Sequence, residues 1–133
     1  METRDSMLLE LRESVIGTIT DQSSAEEIFQ NKTLRPILKL QNELFVEVFT
    51  NYVMKQKGVF FTLSPDKKMV YIENTIQRDI KFRNSLKGMV IGLFTVEEYN
   101  NYTKNSSNLN KRMMNMLIER LKSQVLLFEN ATL

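Results

Sequence analysis

One stretch constrains the fold of this chain more than any other: residues 34–58, LRPILKLQNELFVEVFTNYVMKQKG. At 100° per residue, Ile37, Leu38, Leu44, Phe45, Val46, Val48, Phe49, Tyr52 and Val53 spread over roughly half to two-thirds of a helix circumference. A surface helix carries a narrower stripe, so this one needs neighbours on two sides. Pro36 fits a first turn, where its missing N–H costs nothing, and Gly58 fits the C′ position. The pattern predicts a central helix over 36–57, about 33 Å long.

With 133 residues the chain is one domain by size, 1–133, long enough to enclose a single core. Four Gly and two Pro are few for a hairpin-rich fold, which favours helices. There is no Cys and no His. Lack of Cys excludes a disulfide framework and thiolate chemistry. Lack of His removes the usual general base near neutral pH and the commonest transition-metal ligand. No metal and no cofactor is therefore expected, and acid–base chemistry would fall to a shifted carboxylate, Lys or Tyr. The opening METRDSMLLELRE is charged throughout, unlike a secretory signal, and the apolar run 89–94 is far too short to span a membrane. The expectation is a cytoplasmic protein with no membrane partner.

Net charge is +2, but residues 1–31 carry seven acids and two bases while residues 32–133 carry nine acids and sixteen bases. An acidic first segment lying on a basic body accounts for this. Nucleic-acid binding is disfavoured, because no recognition motif accompanies the asymmetry.

In chain order, residues 6–16 form a short amphipathic pattern through Met7, Leu8, Leu11, Val15 and Ile16, with 1–5 frayed. Residues 17–22 read as a loop, and Ser23 with Glu26 as a capping box that points Ile28 and Phe29 inward. VFFTL, 59–63, reads as a connector burying Phe60, Phe61 and Leu63. Ser64-Pro65-Asp66 is a helix start, followed by a stripe of Met69, Ile72, Ile76 and Ile80. Beyond Lys81 a rotated stripe of Phe82, Leu86, Met89, Val90 and Leu93 takes over, so either one helix bends here or two meet near Asn84-Ser85. Gly88 and Gly92 are read as points of close helix approach, within the domain or across a dimer, or of close backbone approach to a ligand. Thr95 with Glu98 is a further capping box, and residues 109–128 the last long helix, with 129–133 frayed.

Two polar groups stand out because they fall on or beside apolar faces. Arg78, Asp79, Arg83, Asn84 and Lys87 are read either as a structural pin, through an i,i+4 Asp79–Arg83 pair, or as a pocket for a carboxylate or phosphate. Arg120 and Gln124 lie inside the apolar face of the last helix, with Glu43 and Glu47 as candidate partners. That set is a buried ion pair or, with a carboxylate desolvated, a general base. Of the eight methionines, Met113, Met114 and Met116 cluster, as core filling or as an adaptable groove. Leu126 and Leu127 extend the apolar surface and admit a homodimer.

Three segments, NKTLRPILKLQNELFVEVFTNY (31–52), IQRDIKFRNSLKGMVIGLFTVEEY (76–99) and NKRMMNMLIERL (110–121), carry a likeness at the level of a family. On them the chain resembles, over residues 24–128, a group of short, uncharacterised bacterial proteins that often bear an automatic "glyoxalase" label. The resemblance implies no motif of known chemistry and no functional residue to carry over. Metal-dependent glyoxalases build paired βαβββ modules whose strands present His and Glu to Zn or Ni. A chain with no His lacks that ligand set, so no glyoxalase activity is expected.

Together these patterns predict an all-α single domain, an irregular bundle of five to seven helices around the helix 36–57. A non-enzymatic interaction or accessory protein, with a protein partner or itself as a homodimer, requires a large apolar patch and no deep polar pocket. A small-molecule sensor or metal-free enzyme for an anionic ligand, built on residues 78–87, requires a pocket with convergent polar groups.

Overall fold

Ser24 opens the run of chain that organises the domain. Its hydroxyl accepts the Glu27 N–H and starts a helix one residue later than the Ser23–Glu26 pattern suggests. The computed structural model describes residues 2–126 and 128; the expectations for Met1, Leu127 and 129–133 lie outside them. The elements are α1 (Arg4–Leu11), α2 (Ala25–Phe29), a π turn (Gln30–Leu34), α3 (Arg35–Leu40), α4 (Asn42–Lys55), a 3-10 turn (Val59–Thr62), α5 (Pro65–Arg78), α6 (Ile80–Ile91), α7 (Val96–Thr103) and α8 (Ser106–Ser123). Among the described residues there is no strand, and the all-α bundle is as expected. With α3 and α4 taken as halves of one rod, it has seven α-helices.

The rod itself differs from the single helix predicted over 36–57. Helical backbone begins at residue 25 and runs to 55 with two irregularities. Pro36 stands in the first turn of α3, but the chain before it is already helical, wound as a π turn. In that i→i−5 pattern residue 36 would bond the Asn31 carbonyl, and proline has no N–H to offer. The Asn31 carbonyl instead accepts the Ile16 N–H at 2.9 Å, and Asn31 Nδ2 donates to the Thr18 carbonyl at 3.1 Å. A missing donor in the rod thus becomes an anchor for the N-terminal segment. Gly17 makes the approach feasible. It has φ +100, and a Cβ there would sit 3.0 Å from the Asn31 side chain.

The second irregularity is Gln41, which leaves helical geometry at φ −89, ψ 2 while its N–H still reaches the Ile37 carbonyl at 2.9 Å. Its side chain bonds the Met89 carbonyl, and the next residue, Asn42, exchanges amide hydrogen bonds with Gln124 at 2.6 and 2.7 Å. Contacts with α6 and α8 hold both sides of the break. At the other end, Lys57 and not Gly58 takes the C′ position. Both have φ 68, and Lys57 N–H to Met54 O with Gly58 N–H to Val53 O completes a Schellman motif.

Phe45, Phe49 and Val53 are fully buried one turn apart along α4, whereas Leu44 faces solvent. Phe49 meets Phe60 and Phe128 edge-on, at 5.3 and 5.4 Å between centroids, an arrangement that adds to simple area burial. Phe60 comes from the VFFTL connector, a 3-10 turn that also half-buries Phe61 and Leu63. Lys68 is 2% exposed and lies over the Phe60 ring at 5.6 Å. Ser64 and Pro65 start α5 as expected. The α5 stripe ends at Ile76, because Asp79 breaks the chain and caps α6; Ile80 is 61% exposed and the two helices meet at Asp79, not near Asn84-Ser85. Met113 and Met114 are core residues of α8. Gly88 is exposed with open space around it, so no helix of the same chain approaches it closely.

Within the segment 1–5 expected to fray, Thr3 caps α1 and Arg4 and Asp5 begin it. Thr3 and Ser6 form a reciprocal cap, and Arg4 donates to the Gly92 and Phe94 carbonyls at 2.9 and 3.0 Å. Yet α1 buries none of its residues: Met7 and Leu9 are 51% and Leu11 is 62% exposed. Leu8 is its one partly buried apolar residue, and the Arg4 bonds tie it to the turn after α6.

Candidate functional site

The structure scatters the polar cluster predicted over 78–87. Asp79 Oδ1 accepts the Phe82 N–H and Oδ2 the Tyr52 hydroxyl, so it is a helix corner and forms no pair with Arg83. Arg83 donates instead to the Gln77 carbonyl at 3.1 Å. Arg78 and Asp79 line a shallow depression beside Tyr52, Arg83 and Lys87 line a separate groove, and exposed Asn84 lines neither. The break at Asp79 ends the single helical wheel on which these residues looked continuous.

The second predicted set is also corrected. Arg120 and Gln124 do come together, but on Asn42: Arg120 reaches its Oδ1 at 3.3 Å. Glu43 and Glu47 are exposed and meet neither residue, so the buried ion pair and the desolvated base are both absent. A neutral amide replaces the carboxylate, and burial lowers the Arg120 pKa.

A cavity of about 700 Å³ opens between the N-terminal segment, α2, the π turn and α7, closed at its end by the start of α8. Its apolar lining comes from Leu9, Ile28, Phe29 and Leu109, and its polar lining from Arg12, Thr33, Thr95, Glu98, Asn101 and Asn105. The π turn brings Thr33 to the wall. Such turns are uncommon and recur at functional sites. The predicted Thr95–Glu98 capping box places Glu98, whose Oε1 accepts the Thr95 N–H at 2.8 Å. Its Oε2 accepts the Thr33 hydroxyl at 2.7 Å and is ion-paired with Arg12, whose side chain is almost wholly buried. Arg12 also reaches the Leu93 carbonyl. One carboxylate so joins the N-terminal segment, the rod and α7.

At the opposite wall Glu26 accepts Asn105 Nδ2 at 2.9 Å and Arg112 Nε at 3.2 Å, and Arg112 donates onward to Gln30. The Asn105 bond, then the Arg112 charge, hold the Glu26 carboxyl below its usual range. Two of the four carboxylates that line the cavity, Glu98 and Glu26, are thus committed to protein donors. Lys32, Lys104, Glu13 and Glu97 stand at its rim. Volume and lining match a site for a small molecule with an apolar body and a few oriented polar groups.

Reading the sequence missed this site. Its walls come from residues more than 80 positions apart, as Arg12 and Glu98 are. The one available signal was Glu98: a capping-box carboxylate has a second oxygen, which needs a donor. Among the described residues, no group of three or more carboxylates is placed to hold a metal ion, and no helix is long and apolar enough to cross a membrane. Comparison of the chain with protein-family models, curated proteins and solved structures gives no match.

Proposed function

We propose that this chain is a non-enzymatic binding protein that takes a small, mainly apolar molecule with one polar end into the cavity beneath α1. The observation that carries the proposal is the cavity itself: about 700 Å³, with Ile28, Phe29 and Leu109 inside and amide and hydroxyl groups beside them. The commitment of Glu98 and Glu26 to fixed partners supports binding over catalysis, since a general base needs a free lone pair aimed at its substrate. An environment-sensitive apolar dye such as anilinonaphthalene sulfonate tests this. The wild type binds it at one site, and Ile28→Trp, which fills the cavity, abolishes the signal without lowering Tm. Equal binding by the variant contradicts the proposal. With added Zn or Ni the protein leaves methylglyoxal–glutathione hemithioacetal unconsumed; metal-dependent turnover would contradict the non-enzymatic reading.

One observation favours a second reading, self-association: α1 leaves Met7, Leu9 and Leu11 in solvent. Light scattering on a sizing column decides it. A dimer that Leu11→Lys dissociates supports a homodimer built on α1, and a monomer at every concentration removes it.

A further inference from the structure

On another part of the bundle, α5, α6 and α8 enclose a groove of about 520 Å³ that holds three cations and no acid. Arg83 and Lys87 are one turn apart on α6, and Lys111 comes from α8. Arg83 spends one nitrogen on the Gln77 carbonyl, while Lys87 and Lys111 have no hydrogen-bond or ion-pair partner among the described residues. The acids next to the groove on these helices are engaged elsewhere: Asp79 accepts the Tyr52 hydroxyl and the Phe82 N–H, and Glu73 and Glu119 share Lys122 at 3.4 and 3.5 Å. Asn110 accepts the Tyr102 hydroxyl through Oδ1 at 2.6 Å, which assigns its amide hydrogens to other acceptors, and Asn115 adds a second amide. Three like charges converge on one concavity whose walls exclude part of the solvent. That geometry raises the local concentration of anions and costs self-repulsion until one binds.

We propose that this groove is a phosphate site, with Arg83, Lys87 and Lys111 holding the phosphoryl group of a small phosphomonoester. A phosphomonoester carries close to two negative charges near neutral pH and three strong acceptor oxygens, which suits a guanidinium, two ammonium groups and two amides better than a single carboxylate does. Met114 and Ile118 form an apolar floor beside the cations, where the organic half of the ester rests. Glu73 lies one turn before Ile76 on α5 and Glu119 follows Ile118 on α8, so on these two helices acids flank the groove and a continuous polyanion such as nucleic acid meets no basic track there. The proposal is independent of the cavity beneath α1: neither set of lining residues includes a member of the other.

Titration calorimetry tests it, with inorganic phosphate, glycerol phosphate, a nucleoside monophosphate and a twelve-nucleotide single strand as probes. The organic phosphomonoesters bind one per chain and more tightly than inorganic phosphate. Lys87→Gln and Lys111→Gln each weaken them roughly tenfold, the usual effect of one lost charge-assisted hydrogen bond. Lys111→Arg retains binding, and Lys81→Gln, which removes an exposed cation of α6 outside the groove, changes nothing. Circular dichroism verifies that every variant is folded; exposed Lys111 makes its variant the safest. Inorganic phosphate binding as well as the esters identifies free phosphate as the ligand and keeps the site. Equal weakening by Lys81→Gln, tighter binding of the oligonucleotide, or no binding by any phosphate overturns the proposal.

Discussion

The Tyr52 hydroxyl donates to Asp79 Oδ2 at 2.6 Å while its ring stacks on Phe82 at 4.1 Å, so a single side chain of the rod grips both the residue that ends α5 and the first turn of α6. Burial, then the Asp79 bond, push the Tyr52 phenol up to about 12; the same bond, together with the Phe82 N–H, holds the Asp79 carboxyl below its usual range. The pH dependence follows from both signs. Asp79, with its folded pKa depressed, stabilises the fold above 3.8 and ceases to as pH falls through the folded value. Tyr52, with its folded pKa raised, contributes fully below 10 and loses that contribution as pH rises toward 12. Tyr52→Phe should cost about 1 kcal/mol near neutral pH. In urea melts across the pH range, the gap between variant and wild type should close at both extremes. A gap independent of pH would contradict the assignment.

Arg12 is the second pin. Removing one member of a buried ion pair strands the other, at about 3 kcal/mol, so Arg12→Met should lower stability by roughly that amount, and adding Glu98→Gln should recover part of it. Denaturant midpoints of the single and double variants decide. Strict additivity would mean that the pair does not couple the N-terminal segment to α7.

Lys57 pays for the turn after α4 with a left-handed backbone. A non-glycine residue there costs about 1 kcal/mol, so Lys57→Gly should raise stability by a comparable amount, while Gly58→Ala should lower it. A fall in Tm for Lys57→Gly would show that the Lys57 side chain contributes more than its backbone costs.

Much of the architecture was legible because it is local. Ser64-Pro65, the Thr95–Glu98 box and the Phe45/Phe49/Val53 spacing each sit within two turns of chain, and each formed as its pattern implies. What escaped depends on partners distant in sequence. Nothing near Pro36 announces that the Ile16 N–H will take the carbonyl it leaves free, and so the π turn and its Thr33 were invisible. The helical wheel also assumed continuity through Asp79, which placed Arg83 beside it; the Tyr52 hydroxyl and the Phe82 N–H claim Asp79 instead, and Arg83 donates to the Gln77 carbonyl. Likewise Arg120 was matched with Glu43 and Glu47 by charge, but the break at Gln41 presents Asn42.

The cavity beneath α1 is the central claim, and backbone amide shifts measured by solution NMR during titration with a library of small amphiphilic fragments test it most directly. Hits should move the resonances of Ile28, Thr33, Thr95, Asn101 and Asn105 together and leave those around Tyr52 and Asp79 in place. Fragments that perturb none of these five residues while shifting others across the surface would contradict it.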